Sequence, residues 1–411
     1  MDFVVRHAEK QIRTALADTR VVAIVGPRQS GKTTLARRIS ADDGRAFATL
    51  DDAQLRRFAQ SDPTGFLRGM RSATIDEIQR APDLVLEMKK AVDQDRRPGR
   101  FLITGSVDLF RHPVSPDSMA GRVETVELFP FSQAEIANSG APAFLDRAFA
   151  GEFPSFEDIG PTDDLTRRVL SGGFPEALSR AGPERRNSWL RNYARMLTER
   201  DASDLSSISK TAELTRLIEY AAAFSGQLLN LSRLASPLGV DGKTVDRWLT
   251  LFEQLFLIRR VRAWNRNDIR RLIRAPKLQF LDSGLLAALK RADQAEIVRD
   301  RGKLGTLLEC FVHSELAKAA GLSEETTHVS HYRDKDRVEV DLVLERPPNR
   351  VVGIEIKAGA TARPEDFKGL KRLKDAVGEG FSCGILIHDG ERIQRVAPKL
   401  FAMPVKMLWL T

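Results

Sequence analysis

The chain has only two cysteines, Cys310 and Cys383, in 411 residues. That is too few for a disulfide framework or a zinc cage, and no H-E-x-x-H pairs any of the six histidines, so structural zinc is excluded as an organising principle. No apolar run approaches the roughly 18 residues needed to span a bilayer. The start, MDFVVRHAEKQIRTAL, interleaves charges where a signal peptide keeps an unbroken apolar stretch. A cytoplasmic protein with no membrane partner is therefore expected. Low-complexity tracts and internal repeats of about 20 to 50 residues are also missing. With 42% hydrophobic and 29% charged residues, global disorder is excluded. At about 100 to 200 residues per domain, two or three domains are expected.

What the chain does have is an excess of positive charge, 64 Lys and Arg against 56 Asp and Glu, for a net +8. Between Arg259 and Lys277 the basic residues are Arg259, Arg260, Arg262, Arg266, Arg270, Arg271, Arg274 and Lys277, against the single acid Asp268, so that segment alone carries +7. Such a run reads either as a solvated face or as a contact for a polyanion.

Short apolar runs at 21–26, 46–51, 72–77 and 100–106 alternate with helical patterns from Thr33 and around 82–95. Strands alternating with helices predict a parallel sheet covered on both faces. The stretch 110–165 is rich in Pro, Gly and Ser breakers, which places the first domain boundary there. Residues 184–260 show apolar recurrence near a 3.6 period, in 214–224 and 244–258 above all, and read as mostly helical. The last part returns to a mixed pattern, with a helix at 304–320 and strands at 338–345 and 350–359.

The motif G-x4-G-K-T runs from Gly26 through Pro27, Arg28, Gln29, Ser30, Gly31 and Lys32 to Thr33, between a buried-looking strand and a helix that opens with Thr34 in its first turn. The glycines let consecutive N–H groups turn to one point, and the helix adds its positive N-terminal end there. The expected result is a cradle for the phosphates of ATP, with Lys32 on the β and γ phosphates and the Thr33 hydroxyl on Mg2+. On a neighbouring strand, ATIDE ends in Asp76 and Glu77. Asp76 suits a magnesium-associated aspartate and Glu77 a base for the attacking water, although an Asp-Glu pair can also cap a helix. Thr104 and Ser106 end a further strand and are candidates for the γ phosphate or the water, or ordinary turn residues.

Together these segments resemble an AAA-type ATPase, with GPRQSGKTT as Walker A, TIDE as Walker B and ITGS as the sensor segment. The later segments AGR (120–122), GGFPEAL (172–178), TERD (198–201), KLQFLDSGLLAAL (277–289) and EIKAG resemble a prokaryotic family that joins such an ATPase to a C-terminal domain of unknown function. The sensor strand departs from the AAA pattern by ending in Thr and Ser instead of Asn. No certain second sensor arginine is visible; Arg122 is the candidate, with a structural salt bridge as its alternative.

Residues 229–264 read as a short helix, a turn at 239–242, a longer helix and a β ribbon, which resembles a winged helix. In that arrangement Lys243, Thr244 and Arg247 face bases while Arg266, Arg270 and Arg271 of the basic segment touch phosphates, with DNA preferred over RNA. Asp246 would sit poorly there. The alternative is packing against the ATPase or a sister subunit, and oligomerisation is left open.

In the last segment Asp341 lies on one strand, and Glu355 and Lys357, two apart and so on one face, lie on the next. This looks like the PD-(D/E)xK nuclease core, with Glu309 on the preceding helix as a further acid. The resemblance implies Glu309, Asp341 and Glu355 as ligands for Mg2+ or Mn2+, and Lys357 as the group that positions water for phosphodiester hydrolysis. Alternating charges on a half-exposed strand would equally make a salt-bridge ladder.

The expected fold class is a multidomain α/β protein: an AAA-type domain with a parallel sheet (1–165), a helical and winged-helix-like domain with the basic hairpin (166–285), and a restriction-endonuclease-like α/β domain (286–411). The expected function is ATP hydrolysis coupled to a nucleic-acid-binding, nuclease-like C-terminal half. The alternative is a nucleotide-dependent switch for DNA or a protein partner, with an inert C-terminal module.

Overall fold

The computed structural model describes residues 4–106, 119–201, 211–267, 271 and 274–410. The chain forms two compact units, one running to Phe131 and including Gln254–Phe256, the other made of Ser132–Glu253 and the residues from Leu257 onward.

The first unit is built on β1 (Val21–Val25), β2 (Ala46–Thr49), β3 (Ala73–Asp76), β4 (Phe101–Gly105) and β5 (Val123–Glu127), in the order β2-β3-β4-β1-β5 with every pairing parallel. β1, β3 and β4 are buried throughout. A strand covered on both faces has no solvent side, which is why these segments read as continuous apolar runs. The helices Lys32–Asp42 and Asp83–Gln94 turn Leu35, Ala36 and Ile39, and Leu84, Val85, Met88 and Val92, inward. Because β3, β4 and β1 are neighbours and run the same way, their carboxyl ends emerge side by side, the usual place for a ligand in such sheets.

The second unit begins earlier than the boundary expected near residue 165. β6 (Phe156–Asp158) pairs with a strand of the C-terminal sheet, and the Gln133 N–H donates to Glu315 at 2.8 Å. The sheet contains β6, β9 (His328–Arg333), β10 (Glu339–Arg346), β11 (Arg350–Lys357), β12 (Phe381–His388), β13 (Arg392–Ala397) and β14 (Leu400–Pro404), ordered β6-β13-β14-β12-β11-β10-β9. Ahead of β9 in the chain, β7 (Ile258–Val261) and β8 (Lys277–Phe280) form an antiparallel ribbon. They follow the helices Leu231–Ala235 and Gly242–Gln254, so the expected order of short helix, turn, longer helix and ribbon is present. The helical middle and the C-terminal sheet do not part into separate units. The Ser314 hydroxyl, on the helix Gly305–Leu322, donates to the Leu281 carbonyl at 2.9 Å.

GGFPEAL and KLQFLDSGLLAAL meet in this unit. Asp282, 3% exposed, accepts from the Gly173 N–H at 2.7 Å and caps the helix Ser283–Leu289 through the Leu285 N–H at 2.8 Å. A Cβ on Gly172, whose φ is +65°, would stand 2.2 Å from an Asp282 oxygen, so only glycine fits. These two segments therefore make a packing junction.

Candidate functional site

In the first unit the loop after β1 holds Gly26 at φ +153°, where a Cβ would fall 2.2 Å from the Leu128 carbonyl oxygen, and Gly31 at φ +95° as the N-cap of the helix Lys32–Asp42. Lys32 is 4% exposed and donates to the carbonyls of Gly26 (2.9 Å) and Pro27 (2.8 Å). Burial pushes its pKa down to about 8, against the pull of Glu77 and Asp76. Pro27, Arg28, Gln29 and Ser30 complete the loop, and Thr34 sits in the first helical turn.

Asp76, 1% exposed at the end of β3, is surrounded by hydroxyls. One oxygen accepts from Thr33 at 2.9 Å and from Thr104 at 2.6 Å, the other from Thr49 at 3.0 Å. Glu77 follows in the left-handed region at φ +57°. Its N–H donates to the Thr104 hydroxyl at 3.1 Å, and its carboxylate accepts from the Ser106 hydroxyl at 3.2 Å and from the Gln79 amide. Sequence reasoning missed Thr49 and Gln79, which carry no motif. It also missed Arg6, whose buried guanidinium donates to the carbonyls of Ser30 and Phe129 at 2.6 Å each and so pins the back of the loop.

Arg122 is not at this site. β5 runs parallel to β1 with Val123 opposite Val21, so Arg122 lies at the amino edge of the sheet, whereas the phosphate loop follows Val25 at the carboxyl edge. Five residues at about 3.3 Å each separate the two edges. Its guanidinium pairs with Asp93 at 2.6 and 3.0 Å, the salt-bridge alternative.

In the second unit Asp341, Glu355 and Lys357 do come together. Asp341 precedes the Leu342–Ile354 pair of β10 and β11, and one of its oxygens accepts from the Ile356 N–H at 2.9 Å. Lys357 donates to Glu355 at 2.9 Å, while the second Glu355 oxygen is buried without a hydrogen-bond partner. Glu309 joins from the helix Gly305–Leu322. A residue assigned by sequence to the basic hairpin joins too: Lys277, 3% exposed, has its ammonium 3.4 Å from Glu309 and 3.5 Å from Asp341. Burial, and then Asp341, raise the Glu355 carboxyl above its ordinary range. Burial raises Glu309 as well, against the pull of Lys277. Burial alone would lower the Lys277 pKa, but Glu309 and Asp341 outweigh it and hold the ammonium above the usual lysine value. With that ammonium against two of the three carboxylates, the set does not fit a divalent ion as it stands. Among the described residues, no group of three or more His, Cys, Asp and Glu is placed to hold a metal.

A family profile described as an AAA domain matches residues 18–137, and two described as domains of unknown function, DUF8612 and DUF4143, match 162–296 and 304–408. Uncharacterized protein Rv2008c of Mycobacterium tuberculosis and Uncharacterized protein Mb2031c of Mycobacterium bovis are each 32% identical over 358 residues, 87% of this chain and 74% of theirs. The chain belongs to their family. Its first unit is an AAA-type P-loop ATPase domain, which supports binding and hydrolysis of ATP with Mg2+. Among solved structures, the Walker-type ATPase PABY2304 of Pyrococcus abyssi is 14% identical, with a TM-score of 0.41 over 70% of this chain and 96% of that one.

The basic segment of this family member is largely engaged within its own unit. The Arg262 carbonyl accepts from the His331 N–H at 3.0 Å and the Trp264 N–H donates to the His331 carbonyl at 2.6 Å, so the chain leaving β7 runs along β9. There Arg271 pairs with Glu345 at 2.6 and 2.8 Å, Arg266 donates to the Val377 carbonyl and Arg274 to that of Arg333. Arg271 is thus half-buried against Glu345, and Arg266, though exposed, is tied by its guanidinium to the Val377 carbonyl; Arg270 lies outside the described residues. Lys243 and Arg247 are exposed at the start of the helix Gly242–Gln254, with Thr244 half-buried between them. Asp246, the ill-placed acid, is matched by Arg260 at 2.6 Å. No helix among the described residues is long and apolar enough to cross a membrane.

Proposed function

We propose that this ATPase is a nucleotide-dependent switch, in which ATP binding and hydrolysis in the first unit set the affinity of the second for a nucleic acid, DNA before RNA, while the nuclease-like acid set remains inert. In the first unit the backbone N–H groups of residues 28–33 and the Lys32 ammonium hold the phosphates. The Thr33 hydroxyl and the Asp76 carboxylate are hard oxygen donors 2.9 Å apart and fit Mg2+. Held there, Mg2+ would supply positive charge against the phosphates. Glu77 accepts a proton from the attacking water, its carboxylate aimed by Ser106 and Gln79, and Thr104 fixes both Asp76 and the Glu77 backbone.

The observation that favours an inert module over the nuclease is the Lys277 ammonium between Glu309 and Asp341. For nucleic acid, the support is the helix, turn, helix and ribbon order with Lys243 and Arg247 exposed at the head of the second helix. The test is binding of duplex DNA, single-stranded DNA and RNA by the full chain with ATP, ADP or a non-hydrolysable analogue, with Mg2+ throughout. A nucleotide-dependent affinity without strand cleavage is expected; equal affinity in every state would end the switch reading. The second reading, a metal-dependent nuclease, is favoured by Asp341, Glu355 and Lys357 sharing one site, and Mg2+- or Mn2+-dependent cleavage that Asp341→Ala abolishes would establish it.

A further inference from the structure

An acid set of this kind calls for a divalent cation, and Glu355 Oε2 is buried without a hydrogen-bond partner, yet Glu309 Oε1, both Asp341 oxygens and Glu355 Oε1 are already engaged. Lys277 enters from β8, every residue of which is buried, and its Nζ reaches Glu309 Oε1 at 3.4 Å and Asp341 Oδ1 at 3.5 Å. Gln279, two residues on and so on the same face of the strand, holds the same Glu309 oxygen at 2.8 Å, and its own oxygen accepts from the Ser225 hydroxyl at 3.2 Å. The other Asp341 oxygen accepts from the Ile356 N–H at 2.9 Å. The backbone on either side of Lys277 is tied down as well, with the Leu229 N–H on the Pro276 carbonyl at 2.8 Å and the Leu278 N–H on that of Gln227 at 3.0 Å.

A divalent ion takes carboxylate oxygens at about 2.0 to 2.6 Å. Drawing on Glu309 and Asp341 as well as Glu355, it would stand beside the Lys277 ammonium, and two cations so close repel strongly in a buried site of low dielectric. Lys277 is 3% exposed and cannot withdraw into solvent without moving β8.

We infer that the Lys277 ammonium is the resident cation of this cluster, and that this one residue, more than the carboxylates, decides whether the C-terminal centre accepts a divalent metal. The inference rests on the reading of the acid set as inert and gives its cause. It also assigns Gln279 as the residue that positions Glu309 against the ammonium.

The test counts bound Mn2+ by electron paramagnetic resonance in the nucleotide-free full chain, with Asp76→Asn in every sample to remove the contribution of the phosphate loop. With Lys277 in place, no equivalent that depends on Asp341 should bind at submillimolar Mn2+. Lys277→Met should gain one equivalent, at least tenfold tighter, that Asp341→Asn removes, and Lys277→Arg should stay closed. Lys277→Gln, which keeps a donor toward Glu309, serves where Lys277→Met melts too low. Either variant should gain thermal stability from Mn2+, since the metal replaces the lost charge. The inference is overturned by an Asp341-dependent Mn2+ already present with Lys277, by folded variants that gain none, or by failure of both to fold even in millimolar Mn2+. Loss of nucleotide-dependent nucleic-acid binding would end the switch reading but leave the Mn2+ count unchanged.

Discussion

In the proposed mechanism Lys32 of the phosphate loop and Glu77 after β3 have separate tasks, and substitutions should tell them apart. Lys32→Ala removes a cation from a buried site at the phosphates, where charge-assisted hydrogen bonds are worth about 1.5–3 kcal/mol each. ATP affinity should therefore fall by roughly tenfold to a few hundredfold or more, as read by titration with a fluorescent nucleotide. Glu77→Gln keeps the shape and the contact with Ser106 but has no proton acceptor, so binding should persist while turnover in a phosphate-release assay drops by about 100-fold or more. Unchanged turnover in either variant would remove the proposed roles. The loop, Asp76 and Glu77 were legible because a glycine-bounded turn between strand and helix presents backbone donors whatever surrounds it. Thr49 and Gln79 were not, since a threonine on β2 reaches Asp76 only through the pairing of β2 with β3.

At the scale of elements, the ribbon of β7 and β8 and the segment between them show how a charge run can mislead. Its +7 suggested a polyanion surface, yet the chain leaving β7 lies against β9, and that places Arg271 over Glu345 and Lys277 among the acids. Arg271→Ala should then act on stability: it strips a two-pronged partner from Glu345, whose side chain is 12% exposed, at a cost of about 1.5–3 kcal/mol in chemical denaturation. Nucleic-acid binding should be nearly unaffected. Lys243→Ala with Arg247→Ala should do the opposite, leaving stability alone and shallowing the salt dependence of binding by about one unit per lost phosphate contact. If Arg271→Ala instead leaves the denaturation midpoint unmoved and weakens binding, the free-face reading of the segment returns.

For the whole molecule, two buried histidines link stability to pH. His313, fully buried, is pushed down to about 3, by burial first and then by Arg259 and Lys277. His331 is pushed down to about 4, by burial first and then by Lys277, against its hydrogen bond to the Ala275 carbonyl. Both stay neutral when folded and take up a proton near pH 6.5 when unfolded. The unfolded state therefore binds more protons in that range, so this stability is intact above about pH 6.5 and declines as pH falls toward 4, each histidine adding a slope approaching about 1.4 kcal/mol per pH unit. Melting curves between pH 7.5 and 4.5 should show the loss, and His313→Asn with His331→Asn should flatten it. A slope unchanged in that double variant would assign the effect to carboxylates.

The sequence by itself determined what is local: β1 to β4 of the first sheet from their short apolar runs, though not β5, the phosphate loop from its glycines, and the shared face of Glu355 and Lys357 from the period of two along a strand. Each depends on residues a few positions apart, whose relative placement the backbone geometry fixes in advance. Only the tertiary structure decided which edge of the sheet Arg122 occupies, that the chain enters the second unit at Ser132, and that Lys277 faces Glu309 and Asp341. Those partners are tens of residues apart in the chain, and their meeting depends on strand order and register. A buried ammonium among carboxylates and an exposed one on a basic face look the same in sequence. What separates them is whether folding removes the charge from water and what it then sets beside it.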